Sequence, residues 1–321
     1  MLGNRGGKTV KSHAQRADRL LIKPAAGARP APPRTRRQII PKARNTRPVT
    51  RRVTRGTTTP TWQRPQTDRP EESYRHLSEA LVISLRLCDT DSMITFCLIH
   101  GQWHDGSCWG SVLDRLRARG HNGVAPDMPF DDPQADYEQR ARPALEALDG
   151  VDGPVVVVGH SIASAEAALV ASARQTTLLV HLCPRFGTFP MPPDAPDVFR
   201  PGFPFPPRNA DGRSVWTPEG AVEAMYPRLT RETACELAER LRPGASAVGD
   251  YPLSQHPTLP TALVYTANDE FFTPQWERFV ARDLLGVEPI EIPGGHFPMV
   301  ENPELLADLF DLLASDAIAS N

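Results

Sequence analysis

Pro154-Val155-Val156-Val157-Val158-Gly159-His160-Ser161-Ile162-Ala163 is the stretch on which the reading of this chain turns. Four consecutive valines with no polar alternation mark a strand covered on both faces, the usual condition of a parallel sheet. The alanine-rich run that follows, through Ala173, reads as a helix, so Ser161 stands at a sharp strand-to-helix turn. A serine hydroxyl is a poor nucleophile by itself. At such a turn its oxygen is exposed at a helix N-terminus, where a base from elsewhere in the chain can reach it.

The same rhythm extends on either side. Residues 94–99 form an apolar run ending at His100-Gly101, and Trp109, Leu113 and Leu116 follow at helical spacing. Residues 123–125 lead to Asp127 and Pro129 at a strand end, and 137–148 make a helical candidate despite Pro143. Further strands are expected at 178–182, 262–266 and 287–292. Asn302-Pro303-Glu304 then offers an N-cap side chain, a proline at the first helical position and an acid in the first turn. Leu305, Leu309, Leu312 and Leu313 supply the expected buried stripe of that last helix. Strands alternating with helices in this way imply an α/β fold, a mostly parallel sheet with helices on both faces.

Between the fourth and fifth strands the rhythm breaks. Residues 184–207 hold nine prolines together with Phe199, Phe203 and Phe205, and two helical stretches follow at 218–228 and 230–242. Connections much longer than about 15 residues usually carry function or disorder. The insertion at about 184–258 is therefore expected to form a small cap over the site, its apolar residues divided between lining a pocket and packing onto the body.

Charge divides the chain more sharply than its overall net of -2 suggests. Residues 1–70 hold 18 Lys or Arg against two acids, Asp18 and Asp68, which leaves 18 basic and 36 acidic residues for the remainder. The basic, proline-rich stretch has little apolar material to offset the entropy of ordering it, and 1–92 is read as a disordered extension preceding a domain at 93–321. Such a tail could bind polyanions electrostatically, but it lacks aromatic interleaving and zinc-type spacing, so nucleic acid is an unfavoured partner. An upstream segment that adds nothing to the chemistry, or a targeting leader, are the other readings of it. No apolar run of membrane-spanning length and no signal-type segment is present, and five widely spaced cysteines give neither a disulfide framework nor a metal cluster. A cytoplasmic location follows as the expectation. Oligomeric state has no signature here.

A nucleophilic serine requires a base and an acid that fixes the base's tautomer. His296 lies in the glycine-rich loop Ile292-Pro293-Gly294-Gly295-His296 after the last strand, and Asp269 lies just past the fifth strand, with Glu270 as its competitor. The order Ser161, Asp269, His296 is the one expected on this type of sheet. The oxyanion formed on attack needs donors already in place. The backbone N–H groups of Ile162 and of Gln102, in the loop His100-Gly101-Gln102-Trp103, are the candidates. His104, Cys108 and Trp109 either shape the pocket floor or hold that loop, and His160 is read as a packing or hydrogen-bonding neighbour.

The segments His100-Gly101-Gln102-Trp103-His104 with Cys108-Trp109, Gly159-His160-Ser161, Asp269-Glu270-Phe271-Phe272-Thr273-Pro274 and Gly295-His296-Phe297-Pro298-Met299 occur in one order along the body. In this the body resembles the α/β-hydrolase fold superfamily, in particular the small plant methylesterase and hydroxynitrile lyase-like branch and its bacterial relatives. The resemblance implies Ser161 as nucleophile, Asp269 as acid, His296 as base, oxyanion donors at Gln102 and Ile162, a small cap and no cofactor or metal. Ala163 departs from the family's glycine at the end of the elbow. Cyanohydrin cleavage in that branch uses a lysine after the catalytic histidine and a threonine in the oxyanion loop, where this chain has Phe297 and Gly101. Every lysine lies at or before residue 42.

The expected activity is hydrolysis of a small to medium, largely apolar carboxylic ester. An amide, lactone or carbon–carbon bond hydrolase with the same triad, and a non-catalytic receptor for a small ligand, remain as alternatives.

Overall fold

The run of valines sits in the middle of a sheet because no other environment would cover both of its faces. The computed structural model describes residues 93–320. In it β1 (Thr95–Ile99), β2 (Asn122–Val124), β3 (Val155–His160), β4 (Leu178–Leu182), β5 (Thr261–Thr266) and β6 (Ile290–Ile292) form one sheet in the order β2-β1-β3-β4-β5-β6. Every neighbouring pair is parallel, with Cys97 opposite Val157 and Val158 opposite Val180 in the central register. The expectation for residues 1–92 lies outside the described residues.

Side chains alternate to the two faces with the period of a strand. Phe96, Leu98, Val156 and Val158 join one apolar cluster, whereas Cys97, Ile99, Val155 and Val157 join the other. All four valines are fully buried. Burial of this kind contributes about 1.5–3 kcal/mol per side chain, which makes β3 the strongest element to build from.

The first face is covered by α1 (Gly110–Ala118), α6 (Pro274–Phe279, continued by a wider turn over Val280–Leu285), the short α7 (Pro298–Glu301) and α8 (Pro303–Ala319). The second is covered by α2 (Tyr137–Ala147) and α3 (Ser164–Ala173). Helix α2 starts at a capping box in which the Asp136 carboxylate accepts from the Gln139 N–H and the Gln139 side chain accepts from the Asp136 N–H. Asn302 caps α8 through the Leu305 N–H, with Pro303 at the first position as expected.

Two expectations shift. The sixth strand is shorter than 287–292, because the Val287 N–H turns back to the Ala281 carbonyl and closes the preceding helical segment. The buried face of α8 is also rotated. Leu306, Leu309, Phe310, Ala314 and Ala317 are buried, whereas Leu305, Leu312 and Leu313 are only half-buried, since the sheet and α1 together claim the side carrying Phe310.

After β1 the chain steps outward to β2 and then returns to the opposite side of β1 as β3. The loops following β1 and β3 therefore leave the sheet in diverging directions, and the crevice between them is where such sheets bind ligands. Gln102 and Ser161 sit on those two loops. Between β4 and β5 the insertion contributes only α4 (Pro218–Ala224) and α5 (Arg231–Glu239), each shorter than expected, along with isolated bridges such as Phe199 to Phe272 and Ser214 to Gly244. Among the described residues, no helix is long and apolar enough to cross a membrane.

Candidate active site

Ser161 adopts φ 56°, in the left-handed region, immediately after β3 and at the start of the turn into α3. A non-glycine residue there costs on the order of 1–3 kcal/mol and persists only where its surroundings hold it. Here the Ser161 carbonyl accepts from the Arg185 N–H at 3.0 Å, which ties the turn to the start of the insertion. Ala163 is fully buried beneath the turn, so the elbow accommodates its methyl group without opening to solvent.

His296 comes from the loop after β6. Its Nδ1 lies 2.7 Å from Asp269 Oδ2 and its Nε2 lies 3.1 Å from Ser161 Oγ. With Nδ1–H donating to the carboxylate, a neutral ring turns the Nε2 lone pair toward the hydroxyl. Asp269 Oδ1 accepts from the N–H groups of Phe271 and Phe272 at 2.7 and 2.8 Å, which fixes the carboxylate by the chain that follows it. All three residues predicted from three distant loops are brought into one hydrogen-bonded line. Asp269 and His296 are each 2% exposed, so the pair is shielded from competing water.

Glu270, the competing carboxylate, has a different place. Its Oε2 accepts from the backbone N–H of His296 at 2.8 Å, and the carboxylate pairs with Arg228 of the insertion. Glu301 likewise accepts from the Gly295 N–H at 2.7 Å. On the other side, His160 Nε2 lies 2.8 Å from the His296 carbonyl. A carbonyl only accepts, so Nε2 must carry the proton, and burial holds His160 neutral by driving its pKa well below the ordinary histidine value. His296 is thus held at its N–H by a carboxylate and at its C=O by a second imidazole. Sequence named Asp269 as the acid with Glu270 as its competitor, and the structure agrees, but nothing in the sequence signalled that Glu270 holds the backbone of His296.

The loop after β1 is also tightly fixed. His100 Nδ1–H donates to the Gly101 carbonyl at 2.8 Å while Nε2 accepts from the Met128 N–H at 2.9 Å, and burial lowers its pKa to about 4. Trp103 has φ 70°, a costly conformation for a bulky residue. The insertion restrains it: the Arg242 N–H donates to the Trp103 carbonyl at 2.8 Å, and Trp103 Nε1–H donates to Ser214 Oγ at 3.0 Å. Gln102 Nε2–H donates to the Ala245 carbonyl at 2.9 Å. A β-carbon at position 101 would stand 2.8 Å from His160 Nδ1 and 3.1 Å from Ser161 Cβ, so with this histidine in place only glycine fits. That is a steric reason for the missing oxyanion-loop threonine.

A cavity of about 280 Å³ opens at Ser161, and Gln102 and Ile162 both line it. Phe199 and Phe205 of the insertion line it as expected, together with Phe271 and Phe272, whereas Phe203 instead packs on Phe271 with ring centroids 4.1 Å apart. His104 and Cys108 do not form its floor. They border a separate cavity of about 200 Å³ with Leu237 and Leu241, because the His104 ring is turned away to hydrogen-bond the Tyr226 hydroxyl at 2.8 Å. Trp109 is fully buried against His160 and Phe310, a packing role.

Cys183 brings its thiol to within 4.8 Å of the Asp269 and His296 donor atoms. Burial pushes that thiol well above its ordinary pKa, and Asp269 and His296 already satisfy one another, so a cation there would have to displace the hydrogen bond that orients the ring.

The sequence profile of the Alpha/beta hydrolase family matches residues 98–309. Esterase PIR7B of Oryza sativa subsp. japonica is 37% identical over 76 residues, covering 21% of this chain and 28% of that protein. Probable esterase PIR7A of Oryza sativa subsp. indica is 25% identical over 257 residues, covering 68% of this chain and 96% of that protein. Among solved structures, a pyrethroid hydrolase from Sphingobium faniae JZ-2 superimposes with a TM-score of 0.55 at 21% identity, covering 72% of this chain and all of the other. The methylesterase MES16 from Arabidopsis gives a TM-score of 0.56 at 17% identity, covering 71% and 100%. At these identities the two structures support the fold alone.

Proposed function

This chain belongs to the alpha/beta hydrolase family, and on that premise we propose that it is a cofactor-independent carboxylic ester hydrolase with Ser161 as nucleophile, His296 as base and Asp269 as the acid that orients the ring. The observation that carries the proposal is the continuous line from Asp269 Oδ2 through both ring nitrogens of His296 to Ser161 Oγ, with separations of 2.7 and 3.1 Å. The rice relatives, Esterase PIR7B and Probable esterase PIR7A, are consistent with ester chemistry.

In the acylation step Ser161 Oγ attacks the ester carbonyl carbon while its proton passes to His296 Nε2. The carboxylate of Asp269 stabilises the resulting imidazolium without taking its proton. The negative charge moves to the carbonyl oxygen, where the N–H groups of Gln102 and Ile162 are the proposed donors; loss of one such donor typically costs roughly 100- to 1,000-fold in kcat. Collapse expels the alcohol, protonated by His296. Water then attacks the acyl-enzyme, giving its proton to His296, and collapse releases the acid and expels Ser161 Oγ, which takes that proton back from His296.

A fluorophosphonate probe should label Ser161 in the wild-type protein and fail to label the Ser161→Ala variant. Folded Ser161→Ala protein that hydrolyses short acyl nitrophenyl esters just as fast would remove the nucleophile assignment, and wild-type protein that turns over none of them would remove the esterase reading. The four described cysteines are free thiols, three of them buried, which suits a reducing compartment. We accordingly place the protein in the cytoplasm, to be tested by cell fractionation.

A further inference from the structure

The cavity at Ser161 is more polar than its proline- and phenylalanine-rich rim implied. Besides the aromatic rings it is lined by two arginines of the insertion, Arg185 and Arg208, and by the hydroxyls of Ser214 and Ser246. Residues 93–321 hold 16 arginines and 31 acids, so a surface arginine here has ample opportunity to find a carboxylate. Neither Arg185 nor Arg208 takes part in any ion pair among the described residues.

Both are nonetheless held in place. Arg185 is tied through its backbone N–H to the Ser161 carbonyl at 3.0 Å, so its side chain starts beside the candidate nucleophile. Its guanidinium lies over the Phe199 ring, 5.8 Å from the centroid. Arg208 donates from one terminal nitrogen to the Gly212 carbonyl at 2.6 Å and from the other to Ser246 Oγ at 3.3 Å. Partial burial and the charge of Arg208 press on the protonated form of Arg185, while Tyr137 favours it. Two like charges facing one cavity repel, and an anion between them would turn that repulsion into attraction.

We propose that the substrate carries a free carboxylate in addition to its ester, and that Arg185 and Arg208 hold this carboxylate while the ester carbonyl meets Ser161. The planar guanidinium fork matches a carboxylate with two parallel hydrogen bonds, and the cavity, near the small end of the range for ligand sites, limits the substrate to a short chain. Half-esters of short dicarboxylic acids fit this description. Hydrolysis then transfers the acyl group to Ser161 Oγ, releases the alcohol with the proton from His296, and after attack by water yields the dicarboxylate. This inference rests on the esterase reading and proposes a more polar substrate than the largely apolar ester expected from sequence.

The test compares monoethyl adipate with ethyl hexanoate, ethyl 6-aminohexanoate and ethyl 5-phosphonopentanoate on the full chain. The half-ester should exceed the neutral ester in kcat/KM by roughly 10-fold or more, the size of one charge-assisted hydrogen bond, and the cationic ester should be the poorest. In Arg185→Gln and in Arg208→Gln the ratio of half-ester to neutral ester should fall by about 10-fold. Both arginines are exposed, so neither substitution removes core packing, and either variant remains informative if the other fails to fold.

A wild-type ratio near one, or a ratio unchanged in both variants, overturns the inference while leaving the esterase reading intact. Preference for the phosphonate over the carboxylate overturns the carboxylate assignment. If no ester is turned over, the esterase reading fails, and calorimetry on Ser161→Ala protein still decides the question. Binding of monoethyl adipate that is lost in Ser161→Ala/Arg208→Gln supports the anion site, and equal binding of ethyl hexanoate refutes it.

Discussion

The edge of the sheet and the insertion above it contribute to the candidate site in opposite ways. The loops after β1, β3, β5 and β6 supply Gln102, Ser161, Asp269 and His296, the groups proposed to touch reacting atoms. The insertion supplies none of these. It contributes restraints, with Arg242 on Trp103, Ser214 on the indole, Ala245 on Gln102 and Arg228 on Glu270, and it contributes the cavity arginines. On the proposed assignments the chemistry is anchored to the ends of the strands, while restraint of the loops and substrate choice fall to a segment with little regular structure. This division lets the two properties change separately.

The largest test of the division concerns the two adjacent acids. Asp269→Asn should lower kcat by about 10,000-fold, because an amide presents the wrong group to Nδ1 and favours the wrong tautomer. Glu270→Gln, which weakens the hold on the His296 backbone and breaks the pair with Arg228 without touching the ring, should cost roughly 10- to 100-fold, the scale on which supporting residues act. Steady-state kinetics of both variants on one nitrophenyl ester decide the matter, and equal losses would erase the distinction between reacting and restraining groups.

Next in size are the glycines. Gly101→Ala, at the sheet edge, would drive a methyl group against His160 and Ser161, and about 100-fold in kcat is expected from displacing groups by a fraction of an ångström. Gly244→Ala, in the insertion, would meet the Gln102 side chain at 2.5 Å, a contact that yields more easily, and about 10-fold is expected. At Gly187 nothing lies within 4 Å of an added methyl, so Gly187→Ala should leave the rate unaltered. A reversed order would place the critical geometry in the insertion.

The smallest effect is on stability. Burial lowers the pKa of His100 to about 4 and of His104 to about 3, and it lowers His160 and His181 well below the ordinary value. The unfolded chain binds protons at these sites near pH 6.5 and the folded chain does not. The stability they contribute is therefore complete above pH 6.5 and declines as pH falls toward 4, by roughly 2 kcal/mol for each of His100 and His104 at pH 5. Urea unfolding at pH 7.5 and pH 5 should show this loss, and His104→Phe should reduce it. Equal stability at the two values would mean that these rings are hydrated in the native state.

The parts of the molecule differ equally in how far they could be read from sequence. β3 and the turn at Ser161 were legible because a run of valines admits few environments, and the six strands fell close to their expected places. The face of α8 was read wrongly since several leucines crowd it and only the neighbouring elements choose among them. Phe199, Phe203 and Phe205 divide between lining the pocket and packing as expected, but the arginines between the prolines carried no periodic signal.

Sequence by itself determined the alternation of strand and helix, the order Ser161, Asp269, His296 and the loops that bear them, because apolar periodicity and turn chemistry act over a few residues at a time. Only the tertiary structure decided that Glu270 holds the His296 N–H, that His160 grips the His296 carbonyl, and that Arg185 and Arg208 line the cavity at Ser161. These contacts join residues far apart in the chain through irregular loops, and their geometry exists only once the sheet has fixed where each loop begins.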